Sequence, residues 1–155
     1  MKIKYDHSFQ LPRSVVWKYI KDETVLRNSL PGCRIFEEKS YGNYLAEIDI
    51  HLGPIKDVFK LDIRTVEENS SSSYRLFVRG KGNLGEINGS GVLQIKEGQE
   101  GTHLSFVSDA EVTGALAMVS KRVLDGSADK SFQSFFQTIE KEIKRKIYLL
   151  KRSGR

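Results

Sequence analysis

A chain of 155 residues with 39% hydrophobic residues fits one domain with a core of its own, and its three prolines, Pro12, Pro31 and Pro54, leave no linker to divide it. The formal charge is +5, from 25 Lys and Arg against 20 Asp and Glu; the strand cations alternate with acids and lack interleaved exposed aromatics, which sets aside a nucleic-acid partner. The lone Cys33 excludes an intramolecular disulfide and a cysteine zinc site, and no apolar run approaches the ~18 residues of a membrane span.

Met1 to Phe9 alternates, with Ile3, Tyr5, His7 and Phe9 on one face, as a half-buried strand requires. Pro12 breaks the alternation and opens a short helix carrying Val15, Val16, Tyr19 and Ile20. A second short helix is expected over Asp22 to Ser29, stopped by Leu30-Pro31-Gly32. Strands follow at Cys33 to Lys39, Tyr44 to Leu52, Val58 to Val66 and Tyr74 to Arg79, with turns at Tyr41-Gly42-Asn43 and Gly53-Pro54 and a hairpin loop in the serine run Ser70 to Ser73. A glycine-rich stretch, Gly80 to Gly91, leads to a strand with Leu93 and Ile95, a turn at Glu97 to Gly101 and a last strand, Leu104 to Val112.

From Gly114 to Leu150 the pattern predicts one long helix, N-capped by Thr113, with Leu116, Val119, Val123, Ala128, Phe132, Phe135, Ile139, Ile143, Ile147 and Leu150 on its apolar stripe. Gly126 falls inside the longer step from Val123 to Ala128, so a bend or a close packing contact is expected there. Beyond Leu150 the helix is expected to fray. Residues 1–150 make one domain and 151–155 a short basic tail. The absence of a signal-peptide core at Met1 points to a cytoplasmic, reducing compartment. The basic helix end and tail, with Lys141, Lys144, Arg145, Lys146, Lys151, Arg152 and Arg155 against Glu142, is first of all a solvated face; its functional readings are peripheral contact with an anionic membrane or an acidic protein partner.

Seven strands, two short helices after the first and one long terminal helix make an α+β layout with a curved antiparallel sheet around the helix. A sheet of that width has more inner face than one helix can cover, so either bulky side chains fill the hollow or a cavity remains. Gly89 and Gly91, inward between Ile87 and Leu93, remove side-chain volume and favour the cavity; the plainer reading is that they mark bends.

The motifs Leu30-Pro31-Gly32-Cys33, Gly53-Pro54-Ile55-Lys56, Gly80-Lys81-Gly82, Gly101-Thr102-His103-Leu104-Ser105, Thr113-Gly114 and Phe135-Phe136 follow one another in a distinctive order and spacing. In them the chain resembles the CoxG family of carbon monoxide dehydrogenase subunits, within the helix-grip, Bet v 1-like and START-like (SRPBCC) superfamily. The resemblance implies a helix-grip fold with a deep pocket for an apolar ligand between sheet and long helix. It also implies an accessory role to molybdenum-containing CO dehydrogenase-like hydroxylases at the membrane or its quinone pool. Ser120 stands where the resemblance leads one to expect a glycine, and the proline-rich linker and membrane-binding tail of longer relatives do not follow the helix.

With that resemblance, the inward register gives the expected lining: Ile48, Ile50, Leu61, Ile63, Leu76, Val78, Ile87, Leu93, Phe106, Ala110, Leu116 and Val119. Tyr5, Tyr44 and Tyr74 are inward and would offer hydroxyls to a ligand carbonyl, which suits a quinone. Trp17 is expected either at the pocket mouth or against the sheet rim.

No catalysis, metal or cofactor is expected. Gly80-Lys81-Gly82-Asn83-Leu84-Gly85 matches a dinucleotide fingerprint only as a string, because strand, not helix, follows it. His7, His51 and His103 lie on separate strands without metal-ligand spacing; His51 and His103 point outward, and His7 points inward, where it is expected first as a hydrogen-bonded core residue and otherwise in contact with a ligand. Cys33 has no adjacent base, and Asp109 and Glu111 face outward. Two further readings stand beside the carrier: an accessory module with a filled core that docks on a redox enzyme, and a polyketide cyclase-like enzyme.

Overall fold

The computed structural model turns these patterns into β1 (Lys2–Phe9), α1 (Arg13–Tyr19), α2 (Glu23–Ser29), β2 (Cys33–Ser40), β3 (Asn43–Leu52), β4 (Ile55–Asn69), β5 (Ser73–Gly82), β6 (Gly85–Glu97) and β7 (Thr102–Val112). A 3-10 turn, Gly114–Met118, then leads into the long helix α3 (Lys121–Ser153). The structure describes residues 1–52, 54–69 and 72–154; Gly53 of the Gly53-Pro54 turn, Ser70 and Ser71 of the serine loop and Arg155 of the basic tail lie outside the described residues.

The seven strands form one sheet in the order β1-β7-β6-β5-β4-β3-β2, every neighbouring pair antiparallel. Strands β2 to β7 are successive hairpins. Strand β1 instead pairs with β7 at the far edge, so α1 and α2 carry the chain across the whole width of the sheet before β2 begins. Asp22 caps α2: its Oδ1 accepts from the Val25 N–H at 3.0 Å and from Lys146 Nζ at 2.9 Å, so the start of α2 is tied to α3.

Three apolar clusters hold helices to the sheet. The largest joins β1, α1 and β5 to β7 to the C-terminal half of α3 through Phe9, Val16, Ile20, Leu104, Ile139 and Ile143, all at most 2% exposed. The second sets α2 against Phe36, Tyr44 and Ala46. The third gathers Leu52, Phe59 and Leu116 where the β3–β4 and β5–β6 turns meet the 3-10 turn. Asp57 joins those two hairpins: its carboxylate accepts from the Val58 N–H at 2.8 Å and the Leu84 N–H at 2.9 Å.

The long helix does not start at Gly114. That residue sits at φ +69°, pressed against Gly85 and Leu84, and the Leu116 N–H donates to the Leu84 carbonyl at 2.9 Å, which holds the chain in a separate turn. Val119 is extended, and the true N-cap is Ser120, whose hydroxyl accepts from the Val123 N–H at 3.3 Å. A glycine there would lose that bond. Thr113 caps no helix; its hydroxyl accepts from the Glu86 N–H at 3.2 Å. At the other end α3 runs on to Ser153 rather than fraying after Leu150. Val123 and Leu150, placed on the buried stripe by periodicity, are 46% and 58% exposed; at the start of the helix it is the neighbouring Leu124 that packs on the cluster of Leu52, Phe59 and Leu116.

Two glycine expectations also change. Helix α3 passes through Gly126, and a Cβ there would meet nothing within 4 Å, so no packing contact requires the glycine. A Cβ on Gly91 would lie 2.9 Å from the Phe106 ring: that glycine makes room for Phe106, not for a cavity.

Candidate functional site

Register places Ile63 opposite Val78, Val78 opposite Gly89 and Gly89 opposite Ala110, one row across β4, β5, β6 and β7 on the inner face. All four residues are only half-buried, although they face the helix side of the sheet. The reason lies in α3: its fully buried residues, Phe136, Ile139 and Ile143, lie from its middle toward its C-terminus, and its first turns leave this row half-buried.

The other expected lining residues divide around it. Leu61 and Ile87 flank Gly80 in the adjacent row and, with Ile48 and Ile50, border the cluster around Leu116; Leu76 borders the largest cluster; Val119 is half-buried between the 3-10 turn and α3. Leu93, Phe106 and Leu116 are 4%, 5% and 2% exposed, so their surface is already taken up by neighbours, Phe106 lying 5.3 Å from the Phe132 ring. Nine of the twelve are thus half-buried, with Ile63, Val78 and Ala110 in the row and most of the others at the borders of the clusters, and three lie in the packed core.

Polar groups expected to face a ligand are mostly engaged. The Tyr44 hydroxyl donates to the Lys21 carbonyl at 2.8 Å, and Tyr5 stacks on Phe136 with ring centres 5.4 Å apart. Burial pushes the Tyr5, Tyr44 and Tyr74 hydroxyls above their ordinary range, so all three stay protonated. His7 is not hydrogen-bonded through Nε2: Glu140 Oε1 is 3.6 Å away, and the ring is held by Phe9 and Phe136 instead. Trp17 packs on Tyr74, with Lys21 Nζ 4.7 Å from its ring centre, so it belongs to the sheet-side packing.

His51, His103, Asp109 and Glu111 are exposed, as register placed them. Burial raises the Cys33 thiol above its ordinary value, which keeps it a weak nucleophile. Gly80 to Gly85 run from the end of β5 through the turn at Asn83 and Leu84 into β6, with no helix to meet a phosphate. Among the described residues no group of three or more His, Cys, Asp or Glu is placed to hold a metal, and no helix is long and apolar enough to cross a membrane.

One inward residue is not marked by the apolar pattern. Asp125 lies in the gap between Val123 and Ala128, five helical turns before Ile143, and its Oδ1 is buried with no protein hydrogen-bond partner among the described residues. Its signal in the sequence is position on the stripe, which an apolar-only count passes over. Two depressions on the surface lie apart from the row and include none of the twelve. One, of about 430 Å³, is on the outer face near Lys2, Arg75, Val92 and Val107. The other, of about 310 Å³, lies between α1 and the β2–β3 hairpin near Trp17, Lys21, Glu38 and Tyr41.

An open antiparallel sheet of seven strands, with a long C-terminal helix across its inner face and two short helices after its first strand, is the START-like helix-grip fold. Residues 7–144 match the model of the CoxG family of carbon monoxide dehydrogenase subunits, and the chain belongs to that family. It is similar to a conserved protein from Geobacillus kaustophilus, at 27% identity and a TM-score of 0.87 over 94% of this chain and 96% of that one. More distant likenesses include a START superfamily protein from Mycobacterium smegmatis (11% identity, TM-score 0.68, 93% and 97% covered). The Zhui aromatase/cyclase from Streptomyces sp. R1128 is similar in fold as well (10% identity, TM-score 0.68, 95% of each chain). The sequence matches no curated protein.

Proposed function

We propose that this chain binds one hydrophobic small molecule or lipid between the inner face of the sheet and the N-terminal half of α3, and that it does so as an accessory, without catalysing a step itself. The observation that carries the reading is the half-buried row Ile63, Val78, Gly89 and Ala110. Apolar surface left uncovered on the inner face of a sheet is stabilised by an apolar occupant, at roughly 25 cal/mol for each Å² removed from water. A quinone, with its flat apolar body and long tail, suits such a surface. Membership of the CoxG family supports a molybdenum-containing CO dehydrogenase-like enzyme as the partner. The basic end of α3 supports peripheral contact with the inner face of a membrane, where ligand and enzyme would meet.

The packed state of Leu93, Phe106 and Leu116 favours a second reading, a protein–protein accessory or membrane-recruitment module whose core is its own. Extraction of the purified protein with organic solvent, followed by mass spectrometry, separates the two. A carrier releases a stoichiometric apolar compound; a filled module releases none.

A further inference from the structure

We propose that Asp125 is the polar anchor of this ligand space, accepting a hydrogen bond from a hydroxyl or N–H group on an otherwise apolar ligand. The inference rests on the carrier reading above and adds the chemical class of the ligand to it.

Counting along helix and strand from one fixed contact puts the carboxylate on the same side of that contact as the uncovered row. The Phe132 ring of α3 meets the Phe106 ring of β7 at 5.3 Å, which fixes one point of register between helix and sheet. Asp125 lies seven residues before Phe132, ~10 Å along the helix at ~1.5 Å per residue. Ala110 lies four residues after Phe106, ~13 Å along the strand at ~3.3 Å per residue. Both steps lead toward the turn Gly114–Met118 that joins β7 to α3. Asp125 and Phe132 are two helical turns apart and share a face, so the carboxylate lies on the sheet-facing side of α3, displaced from Phe132 in the sense in which Ala110 is displaced from Phe106.

Its chemistry defines the ligand. A carboxylate oxygen accepts hydrogen bonds, and one buried without a partner is costly. Neighbours on its own helix do not relieve it: Arg122 and Asp129 are exposed, and neither forms an ion pair with Asp125 among the described residues. A ligand donor placed against Oδ1 would satisfy it, whereas a ligand with acceptors alone would leave it unpaired and add a repulsive contact.

Two probes of the same apolar body test this: naphthol, which carries an O–H donor, and methoxynaphthalene, which does not. Titration of the whole chain is expected to give about tenfold or greater preference for naphthol, and Asp125→Leu is expected to remove the preference while still binding methoxynaphthalene. Asp125→Asn, which can both donate and accept, is expected to give an intermediate ratio. Equal binding of both probes by the wild-type chain, or a preference that survives in Asp125→Leu, overturns the inference and leaves the carrier reading standing. Binding of neither probe overturns both. Asp125→Asn, isosteric with the native side chain, keeps the test open where Asp125→Leu does not fold: a wild-type ratio retained in full by Asp125→Asn also overturns the inference.

Discussion

His7 Nε2 and Glu140 Oε1 face each other at 3.6 Å between β1 and α3, within ion-pair range and too far for a hydrogen bond. Burial lowers the His7 imidazole below its ordinary value of 6.5, and the attraction of Glu140 opposes that only in part. Glu140 is itself shared with Lys144 at 3.1 Å and with the Gln10 N–H at 3.3 Å. A histidine held below its unfolded value binds its proton more readily in the unfolded chain. Its stabilising contribution is complete above pH 6.5 and is lost as pH falls through the lower folded value. Thermal denaturation at decreasing pH is expected to show this loss, and His7→Phe, which keeps the ring packing on Phe9 and Phe136, is expected to flatten the profile in that window.

The two glycines Gly82 and Gly126 should respond in opposite directions. A Cβ on Gly82 would collide with the Phe59 ring, so Gly82→Ala is expected to cost about 1–3 kcal/mol by overpacking. A Cβ on Gly126 would meet open space inside a helix, so Gly126→Ala is expected to gain about 0.5–1 kcal/mol. Urea denaturation of the two variants reads both signs.

Lys21 holds the α1–α2 junction to the sheet. Its ammonium lies 2.6 Å from Glu67 Oε1 and close to the Trp17, Tyr41 and Tyr74 rings, with the side chain only 14% exposed. Lys21→Met keeps the stem but removes the charge. It is expected to lose about 1–2 kcal/mol of stability by chemical denaturation, most of it from the cation–π contacts.

Filling the uncovered row should separate ligand binding from folding. Val78→Phe adds volume beside Gly89 and Ile63 without displacing a packed neighbour, and is expected to keep the denaturation midpoint while abolishing release of an apolar compound on solvent extraction. The same substitution in a packed site would cost stability by overpacking.

Much of the sheet was legible because one physical rule, burial of alternate residues, wrote it. Tyr44, Ala46, Ile63, Leu76 and Phe106 all face inward as their spacing required, and the turns at Gly42 and Gly101, both at positive φ, fall where glycine marked them. The start of α3 was less legible because helical periodicity continues through the turn Gly114–Met118. What breaks it is tertiary: Gly114 against Gly85, and the Leu116 N–H on the Leu84 carbonyl, across thirty-two residues of sequence.

The candidate site was legible as a face but not as a surface. Register assigned Leu93 and Phe106 the same status as Val78 and Ala110, yet the first pair is packed away, Phe106 against Phe132 of α3, and the second is only half-buried. Gly91 carried the misleading signal, since absent side-chain volume in one strand is filled by Phe106 from the next. Asp125 was hidden by the opposite error, a polar residue read as a gap in a stripe rather than as its functional group.

Methyl NMR of the chain titrated with a short-chain quinone addresses the central claim most directly. Binding between sheet and helix predicts saturable shifts at the Ile63, Val78 and Ala110 methyls, with Val92 and Val107 on the outer face unmoved. Shifts confined to Val92 and Val107, or none at any of the five, would contradict it.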